Sequence, residues 1–357
     1  FLAFCRGATS TAVFGSLICS ELKEPIIQSV YNKTASDLAG EMRTNIPAFK
    51  GNRSNLEKHI LKALAEEEDF QKFIQYIHFP REQFEGFIKS QVKAFITEGN
   101  SSAVAMIQGN IRHKEQCVIT AAETATAQVL GKAGDANIWL EIFSDCLKDE
   151  LEYNKEHLTG DCCQDITDFE LLEEVVKKEL SPIIEELNRC FKKPSSVKMR
   201  KFRKPPDEIL IEHFCNCCWA QCPFCEAICI NTMEDHPGDH IVPFHRNCGM
   251  RGMIYRGTTN LCLEFCTSSV ASDTQRFCPD IRTNETVLWK EYRTAGPQYA
   301  NWCITPDLSE LPYWKWFVCR FQAELEELYN KTFKDCGKIP EEWRTYTKEQ
   351  AMESIEK

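Results

Sequence analysis

The amino-acid sequence predicts a mainly α-helical protein, with an N-terminal helical array, a smaller α+β zinc-binding-like module and a C-terminal helix. Two observations lead to this fold class. Apolar residues recur every three or four positions through the first half of the chain, the spacing of helices that bury one face. Cysteine and histidine then concentrate between Cys215 and Cys248, and short apolar runs separated by turn residues follow.

Length and composition indicate a globular chain of two or three domains. The 357 residues exceed the usual size of one core, and 43% hydrophobic with 27% charged residues is typical of folded proteins. The net charge of −11 argues against nucleic acid as a partner, because nucleic-acid binding needs a positive footprint. No apolar run reaches about 18 residues, so no membrane-spanning helix is predicted. The start at Phe1, without Met, leads us to expect a fragment of a longer protein.

The 20 cysteines are expected to be reduced thiols. Disulfide scaffolds usually belong to much shorter chains, and many of these cysteines fall inside helical patterns. The sequence therefore favours a reducing compartment, in which most cysteines are small buried apolar residues.

Residues 1–192 are predicted to form the helical array. The clearest pattern is that of Phe84, Phe87, Ile88 and Phe95, which recur at helical spacing along one face. Glu and Lys at the same spacing are typical of solvated helix faces. Helices are predicted over 9–45 with a break near Pro25, over 54–79 ending at Pro80, and over 81–98, 101–131, 135–152 and 165–192, the last kinked or divided at Pro182.

Residues 193–206 are predicted to be a basic linker. The stretch from Lys192 to Pro206 contains seven Lys or Arg and three Pro, with no acidic residue. A plain connector is the first interpretation of this composition. The alternative is a patch that contacts an anionic membrane through its positive charge.

Residues 207–345 are predicted to form the Cys/His-rich module. Residues 346–357 are expected to be a charged and loosely held tail. Within the module we predict a helix over 207–214, strand-like runs at 253–256 and 261–266, and a last helix that begins near Leu308 and stops at Gly337.

The stretch from Cys215 to Cys248 predicts a zinc site. It holds seven of the 20 cysteines and three of the eight histidines, and thiolate and imidazole are the ligands that zinc prefers. Asp239 is expected to orient an imidazole rather than to bind the ion. The number of candidates would allow a second ion, but one is predicted. Its predicted ligands are Cys222, Cys225, His240 and His245, with Cys229, His236 and Cys218 as competitors for a position.

A structural role is the first interpretation of this zinc site, because four protein ligands leave no open position. The alternative is a zinc-dependent hydrolase in which Glu234 or Asp235 acts as general base. The sequence contains neither His-Glu-x-x-His nor the zinc-deaminase pattern. It also lacks the phosphate-binding motif G-x-x-x-x-G-K-[ST], so we predict no catalytic residue and no nucleotide site in this chain.

Several specific motifs occur together between residues 218 and 345. They are Cys218-Trp-Ala-Gln-Cys222-Pro-Phe-Cys225, Asp235-His-Pro-Gly-Asp-His240, Val242-Pro-Phe-His245-Arg, Tyr255-Arg-Gly-Thr-Thr, Ser269-Val-Ala-Ser-Asp273 and Ile304-Thr-Pro-Asp-Leu-Ser-Glu-Leu-Pro-Tyr-Trp-Lys-Trp-Phe317. In this combination the chain resembles the C-terminal region of the interferon-induced very large GTPases. The helical first half is compatible with the resemblance, whereas Cys215, Cys217 and Cys248 depart from it.

The resemblance implies that a longer parent protein binds and hydrolyses GTP in a G domain upstream of this chain. It also implies a cytoplasmic protein, with the nucleus as a second location, that acts in interferon-linked innate immune defence. Large interferon-inducible GTPases resemble dynamins in assembling through helical regions. The helical array is therefore expected to be an assembly or stalk-like region that forms a homo-oligomer or contacts partner proteins.

Overall fold

Helix dominates the described part of the protein. A computed structural model describes residues 2–97, 101–132, 134–154, 158, 166–191, 202–280, 282, 285–308 and 310–356, without the side chains of residues up to 9 and of 101 and 102. Helix accounts for 65% and strand for 5%, which confirms the predicted mainly α-helical fold. Most of the basic linker, residues 193–201, lies outside the described residues, and its contact with anionic membrane stays a prediction.

The helices vary from four residues to more than forty. No helix in the described ranges is long and apolar enough to cross a bilayer. The helices are α1 (Leu2–Asn45), α2 (Arg53–Glu67), α3 (Phe70–His78), α4 (Pro80–Thr97), α5 (Ser101–Lys132), α6 (Ala136–Leu147), α7 (Phe169–Cys190), α8 (Pro206–Cys215), α9 (Cys266–Val270), α10 (Pro297–Ala300), α11 (Pro312–Arg320), α12 (Gln322–Tyr329) and α13 (Lys348–Ser354).

The chain divides into two compact units. Unit 1 contains residues 1–42 and 90–209, and unit 2 contains residues 43–89 and 210–357. The predicted domain boundaries at 192 and 206 stay predictions. Helices α2 and α3, which the sequence places in the N-terminal array, fold with the Cys/His-rich residues of unit 2.

Unit 1 is built on the long helix α5, which packs against α6 and α7. Asp135 and Asp168 are the N-cap residues that precede α6 and α7, and each carboxylate accepts a hydrogen bond from a backbone N–H of the first helical turn. Helix α1 approaches α7 closely at Gly15, where an added Cβ would lie 2.4 Å from the Val175 side chain. A larger residue at this contact would therefore force the Val175 side chain or α7 itself to move.

An aromatic core organises the helical part of unit 2. Phe73 of α3 lies 4.7 Å from Phe317 and 5.4 Å from Phe321, measured between ring centroids. The Tyr313 hydroxyl donates a hydrogen bond of 2.6 Å to the Leu61 carbonyl, which ties α11 to α2. Helix α13 packs against both α11 and α2.

The strands of unit 2 are short. Strand β1 (His240–Ile241) pairs in parallel with β4 (Trp302–Cys303), and β2 (Arg276–Phe277) pairs antiparallel with β3 (Val287–Leu288). The strand-like runs predicted at 253–256 and 261–266 meet through a single antiparallel bridge between Ile254 and Leu261. The second run ends where α9 begins, at Cys266.

Two proline residues do not break their helices. The predicted break near Pro25 is wrong, because α1 continues through it, and α7 continues through Pro182. Proline removes one helical hydrogen bond. Leu22 and Ile26, on either side of Pro25, are completely buried, and their packing outweighs that loss.

The prediction that residues 346–357 form a loosely held tail is also wrong. Residues 348–354 form α13, which begins with a reciprocal pair of hydrogen bonds between Thr347 and Gln350. Ala351 and Ile355 are buried at 0% and 1% exposure. The charged residues of this segment occupy one face of a packed helix, so charge alone was a poor guide to its order.

Candidate metal centres

One short hairpin in unit 2 carries four cysteines in two pairs. Its arms are joined by backbone hydrogen bonds from Cys218 to Asn231, from Cys229 to Ala220 and from Cys222 to Ala227. Because the arms are antiparallel, Cys218 and Cys229 lie on opposite arms at the base of the hairpin, diagonally across from each other. Cys222 and Cys225 sit together at its tip, where Glu226 turns the chain with a left-handed φ of 59°.

The hairpin tip contributes to a cluster of three cysteines and one histidine, here called the tip cluster. The Nδ1 atom of His245 lies 3.4 Å from the Cys225 sulfur and 3.0 Å from the Cys266 sulfur. The Cys225 and Cys266 sulfurs are 3.7 Å apart. All four members are buried. They are Cys222, Cys225, His245 and Cys266.

The hairpin base contributes to a second group, here called the base cluster. The Cys218 sulfur lies 3.5 Å from Nδ1 of His240, and the Cys229 sulfur lies 3.6 Å from Nε2 of His236. The two imidazole nitrogens are 3.1 Å apart. The cysteines are buried and the histidines are half-buried. The members are Cys218, Cys229, His236 and His240.

Both clusters have the spacing of tetrahedral zinc sites. With zinc–sulfur and zinc–nitrogen bonds of about 2.3 Å and 2.05 Å, a tetrahedron places two sulfurs about 3.8 Å apart, sulfur and nitrogen about 3.6 Å apart, and two nitrogens about 3.3 Å apart. The distances quoted above fall between 3.0 and 3.7 Å. Within each cluster all four donor atoms lie within 4.8 Å of one another. The side chains therefore fit one ion in each cluster.

A second backbone pairing brings the distal ligands to the tip cluster. Asn247 and Phe265 form an antiparallel bridge, and the Cys248 N–H donates to the Glu264 carbonyl. His245 precedes this pairing on one strand and Cys266 follows it on the other. The pairing thus carries both residues to the same end of the bridge, where the hairpin tip meets them.

Aromatic packing fixes the turn between Cys222 and Cys225. The Phe224 ring lies 4.3 Å from Trp289 and 5.1 Å from both Tyr299 and Phe277, measured between centroids. Such aromatic contacts stabilise a core beyond the area that they bury. The two thiols are therefore held in place by a rigid neighbour rather than by the turn alone.

Arg53, the first residue of α2, holds the base of the hairpin. Its NH1 group donates hydrogen bonds of 2.6 Å to the Cys218 carbonyl and 2.7 Å to the Cys229 carbonyl. The guanidinium carbon also lies 3.9 Å from the centroid of the Trp219 ring. This buried cation bridges the backbone of both cysteines in the base cluster.

The thiols of the tip cluster differ in acidity. Burial raises the pKa of Cys222 and of Cys266 well above the ordinary value. Burial also opposes the thiolate at Cys225, but hydrogen bonds from the other two thiols and the proximity of His245 outweigh it and lower its pKa well below the ordinary value. The other groups of the cluster thus stabilise the thiolate of Cys225, and a divalent cation would stabilise the thiolates of all three cysteines.

The His240 imidazole of the base cluster favours its neutral form. Burial lowers its pKa, His236 lowers it further, and Asp239 opposes the shift. Neutral imidazole is the form that binds metal. The Asp239 carboxylate forms an ion pair with Arg293, so its expected role in orienting an imidazole has no hydrogen bond to support it among the described contacts.

The structure divides the four predicted ligands between the two clusters. Cys222, Cys225 and His245 come together, whereas His240 lies in the base cluster with the two reserve residues, Cys229 and His236. Cys218, a competitor in the sequence, completes that second set. Whether either cluster binds zinc stays a prediction.

Sequence reasoning missed Cys266 as a candidate ligand. This residue lies beyond the dense stretch that ends at Cys248, and 41 positions separate it from Cys225. One signal for it was available in the number of donors. Two tetrahedral sites require eight donors, but the dense stretch offers only seven when the buried Cys215, Cys217 and Cys248 are set aside.

A third group of potential ligands lies in unit 1 and is less suited to a metal ion. It consists of His113, Cys117 and Glu150, and so offers three donors. The Lys114 ammonium already pairs with the Glu150 carboxylate. A cation therefore occupies this position, and we assign the group no metal.

The motifs agree with the comparisons to known proteins. Residues 218–355 match the family model described as interferon-induced very large GTPase 1, C-terminal domain. The chain is 37% identical over 362 residues to interferon-induced very large GTPase 1 of Mus musculus and 36% identical over 359 residues to that of Homo sapiens. These alignments cover 100% of this chain but 15% and 14% of the two relatives.

No solved structure matches the chain. The family model covers all members of both clusters, from Cys218 to Cys266. The resemblance that the motifs indicated is confirmed by these matches. The chain therefore belongs to the family of the interferon-induced very large GTPases, to whose C-terminal domain its residues 218–355 correspond.

Proposed function

We propose that this chain is an assembly or interaction segment of a large GTP-binding protein and that a structural zinc ion in the tip cluster stabilises its unit 2. The observation that carries the zinc proposal is the tip cluster itself. Four donor atoms from three separate segments converge at tetrahedral spacing in a fully buried position. A zinc ion there would cross-link the hairpin to His245 and Cys266.

The tip cluster favours a structural rather than a catalytic ion. A catalytic zinc keeps one coordination position for water or substrate, whereas this cluster supplies four protein ligands. Each ligand is at most 8% exposed, which leaves little access for a substrate. Among the described residues, no observation favours the hydrolase alternative.

The GTPase activity is named for the relatives, and we do not assign it to this chain itself. The names of both relatives describe interferon-induced GTPases, and the chain spans a small part of their length. The sequence lacks the phosphate-binding motif, so in our proposal GTP binds and is hydrolysed elsewhere in the parent protein. A role in innate immune defence, in the cytoplasm and the nucleus, is part of the same proposal.

Assembly through the helical array is supported by exposed apolar side chains in unit 1. Val13, Leu130 and Ile138 are 56%, 54% and 43% exposed. Large apolar side chains in water favour association with another surface. Light scattering on the 357-residue chain tests the proposal: we expect an oligomer that dissociates on dilution, and a monomer at every concentration up to 100 μM, about a hundredfold above a micromolar affinity, would contradict it.

The zinc proposal is tested by metal analysis combined with unfolding. The purified 357-residue chain is expected to carry zinc, and Cys222→Ser combined with Cys225→Ser should remove that ion and lower the thermal midpoint of unit 2. Cys215→Ser is the matched control, because Cys215 is equally buried but belongs to neither cluster. A chain that contains no zinc, or a double variant as stable as the control, would refute the proposal.

A further inference from the structure

We infer that the base cluster binds a second zinc ion, which exchanges more readily than the ion of the tip cluster and fastens the exposed loop between Asn231 and His240. The inference rests on the proposed structural zinc of the tip cluster and adds a separate set of ligands to it. The two sites would share one hairpin, with one ion at its tip and the other at its base.

The donor atoms of the base cluster converge as a metal site requires. Each cysteine sulfur faces a histidine nitrogen at 3.5 or 3.6 Å, and the two nitrogens face each other at 3.1 Å. A proton shared between the imidazoles would account for the nitrogen pair alone. It would not account for two thiols directed at the same point, whereas one tetrahedral cation accounts for all four donors.

Three of the four ligands are fixed by contacts that do not depend on a metal. Arg53 holds the carbonyls of Cys218 and Cys229, and the Asn231 N–H donates to the Cys229 sulfur at 3.5 Å. The backbone N–H of His240 donates a hydrogen bond of 2.7 Å to the Asn301 carbonyl, at the β1–β4 pairing. The site is therefore largely preorganised, which lowers the entropic cost of binding an ion.

The fourth ligand, His236, lies in an exposed loop. Residues 232–235, 237 and 238 are exposed, and Gly238 has a left-handed φ of 87°. The Nδ1 atom of His236 faces the Pro237 carbonyl at 3.4 Å, which leaves Nε2 directed at the cluster. A bound ion would join this loop to the hairpin base through a single imidazole.

Different exposure gives the two sites different rates of exchange. The tip ligands are all buried, whereas both histidines of the base cluster are half-buried. A chelator or a water molecule can reach the base cluster without opening the core of unit 2. We therefore expect the second ion to leave first and to leave the helical structure intact.

Zinc stoichiometry of the 357-residue chain tests the inference. Native mass spectrometry should find two zinc ions in the wild type and one in the double variant His236→Ala and His240→Ala. A colorimetric zinc chelator should release the wild-type ions in a fast and a slow phase. The fast phase should be missing from the double variant, while circular dichroism of both proteins stays the same.

The outcomes separate this inference from the proposed function. One zinc ion in the wild type, retained by the His236→Ala and His240→Ala variant, would overturn the second site and leave the first. No zinc in the wild type would overturn both.

A conservative variant covers the case in which the double variant misfolds. His236→Cys keeps four ligands in the base cluster and raises the total of cysteine ligands in the two clusters from five to six. In the cobalt-substituted protein, the thiolate-to-cobalt absorbance should therefore rise by about one fifth, following the number of ligating thiolates. An unchanged absorbance would also overturn the second site.

Discussion

The sulfur atoms of Cys225 and Cys266 lie 3.7 Å apart although 41 residues separate them in the sequence. Both thiols are buried, and the Nδ1 atom of His245 lies 3.4 Å from the Cys225 sulfur and 3.0 Å from the Cys266 sulfur. An ion that binds all three closes a long loop of unit 2. Cys266 is thus the residue whose replacement best distinguishes a metal ligand from an ordinary buried cysteine.

Replacing Cys266 by serine should remove the zinc ion of the tip cluster. Loss of a structural metal ion is one of the few changes that destabilise a protein by more than about 4 kcal/mol. We therefore expect Cys266→Ser to lose one equivalent of zinc and a large part of its unfolding free energy, measured by urea denaturation alongside metal analysis.

Cys262→Ser is the control for this prediction. Cys262 lies four residues earlier in the chain, is 4% exposed and belongs to neither cluster. We expect it to retain its zinc and to lose only about 1 kcal/mol, as for a polar substitution in a core. Equal zinc content in the two variants would remove Cys266 from the ligand set.

Replacing Arg53 should loosen the hairpin base. Its guanidinium donates to the carbonyls of two cysteines, and each hydrogen bond from a charged group contributes about 1.5–3 kcal/mol. Arg53→Met should therefore lower the unfolding free energy by about 3 kcal/mol or more and speed zinc release from the base cluster. Lys50→Met, which changes an exposed cation nearby, should have an effect within about 0.5 kcal/mol. Similar values for both variants would contradict a bridging role for Arg53.

The helices of this chain follow largely from sequence periodicity. The segments predicted at 81–98 and 101–131 correspond to α4 (Pro80–Thr97) and α5 (Ser101–Lys132) within a residue or so. Errors arose where a local signal competed with packing. Pro25 was given more weight than the buried residues beside it, and the charges after residue 345 were given more weight than the Thr347 and Gln350 cap.

The chemistry of the candidate site could be predicted from the sequence, but the division of its ligands between two clusters could not. The residue types and the dense stretch indicate a metal centre, and every predicted ligand falls in one of the two clusters. The division between clusters depends on the hairpin register, which pairs Cys218 with Asn231. Sequence spacing does not determine that register, nor the bridge between Asn247 and Phe265 that carries Cys266 to the tip.

The buried carboxyl group of Glu57 should make stability depend on pH. Burial raises its pKa above the ordinary 4.5, against the hydrogen bond from the Tyr76 hydroxyl and the nearby charges of Arg53 and Arg246. A raised pKa in the folded state means that folding favours the protonated form. The stabilisation that protonated Glu57 contributes is therefore fully present below pH 4.5, and it is lost as the pH rises through the folded-state pKa of this residue.

Comparison with Glu57→Gln isolates this effect. Both proteins keep the same zinc ligands, so the pH dependence of metal binding cancels in their difference. The unfolding free energy of the wild type, minus that of the variant, should fall between pH 4.5 and 7 by about 1.4 kcal/mol for each unit of pKa difference. Glu66→Gln, at an exposed position of the same helix, should show no such trend. A difference that rises with pH would mean that the arginines dominate.

The C-terminal helix should contribute substantially to the stability of unit 2. Ile355 follows α13 and is 1% exposed, and α13 packs against α2 and α11. Replacing a buried isoleucine by alanine costs about 2–5 kcal/mol, because it removes apolar contacts and leaves a cavity. We therefore expect Ile355→Ala to lower the urea midpoint clearly, whereas Glu353→Ala, on the exposed face of the same helix, should change it by less than about 0.5 kcal/mol. Equal midpoints for the two variants would restore the interpretation of this segment as a loose tail. A selective loss with Ile355→Ala would show that α13 is part of the folded unit rather than an appendage to it.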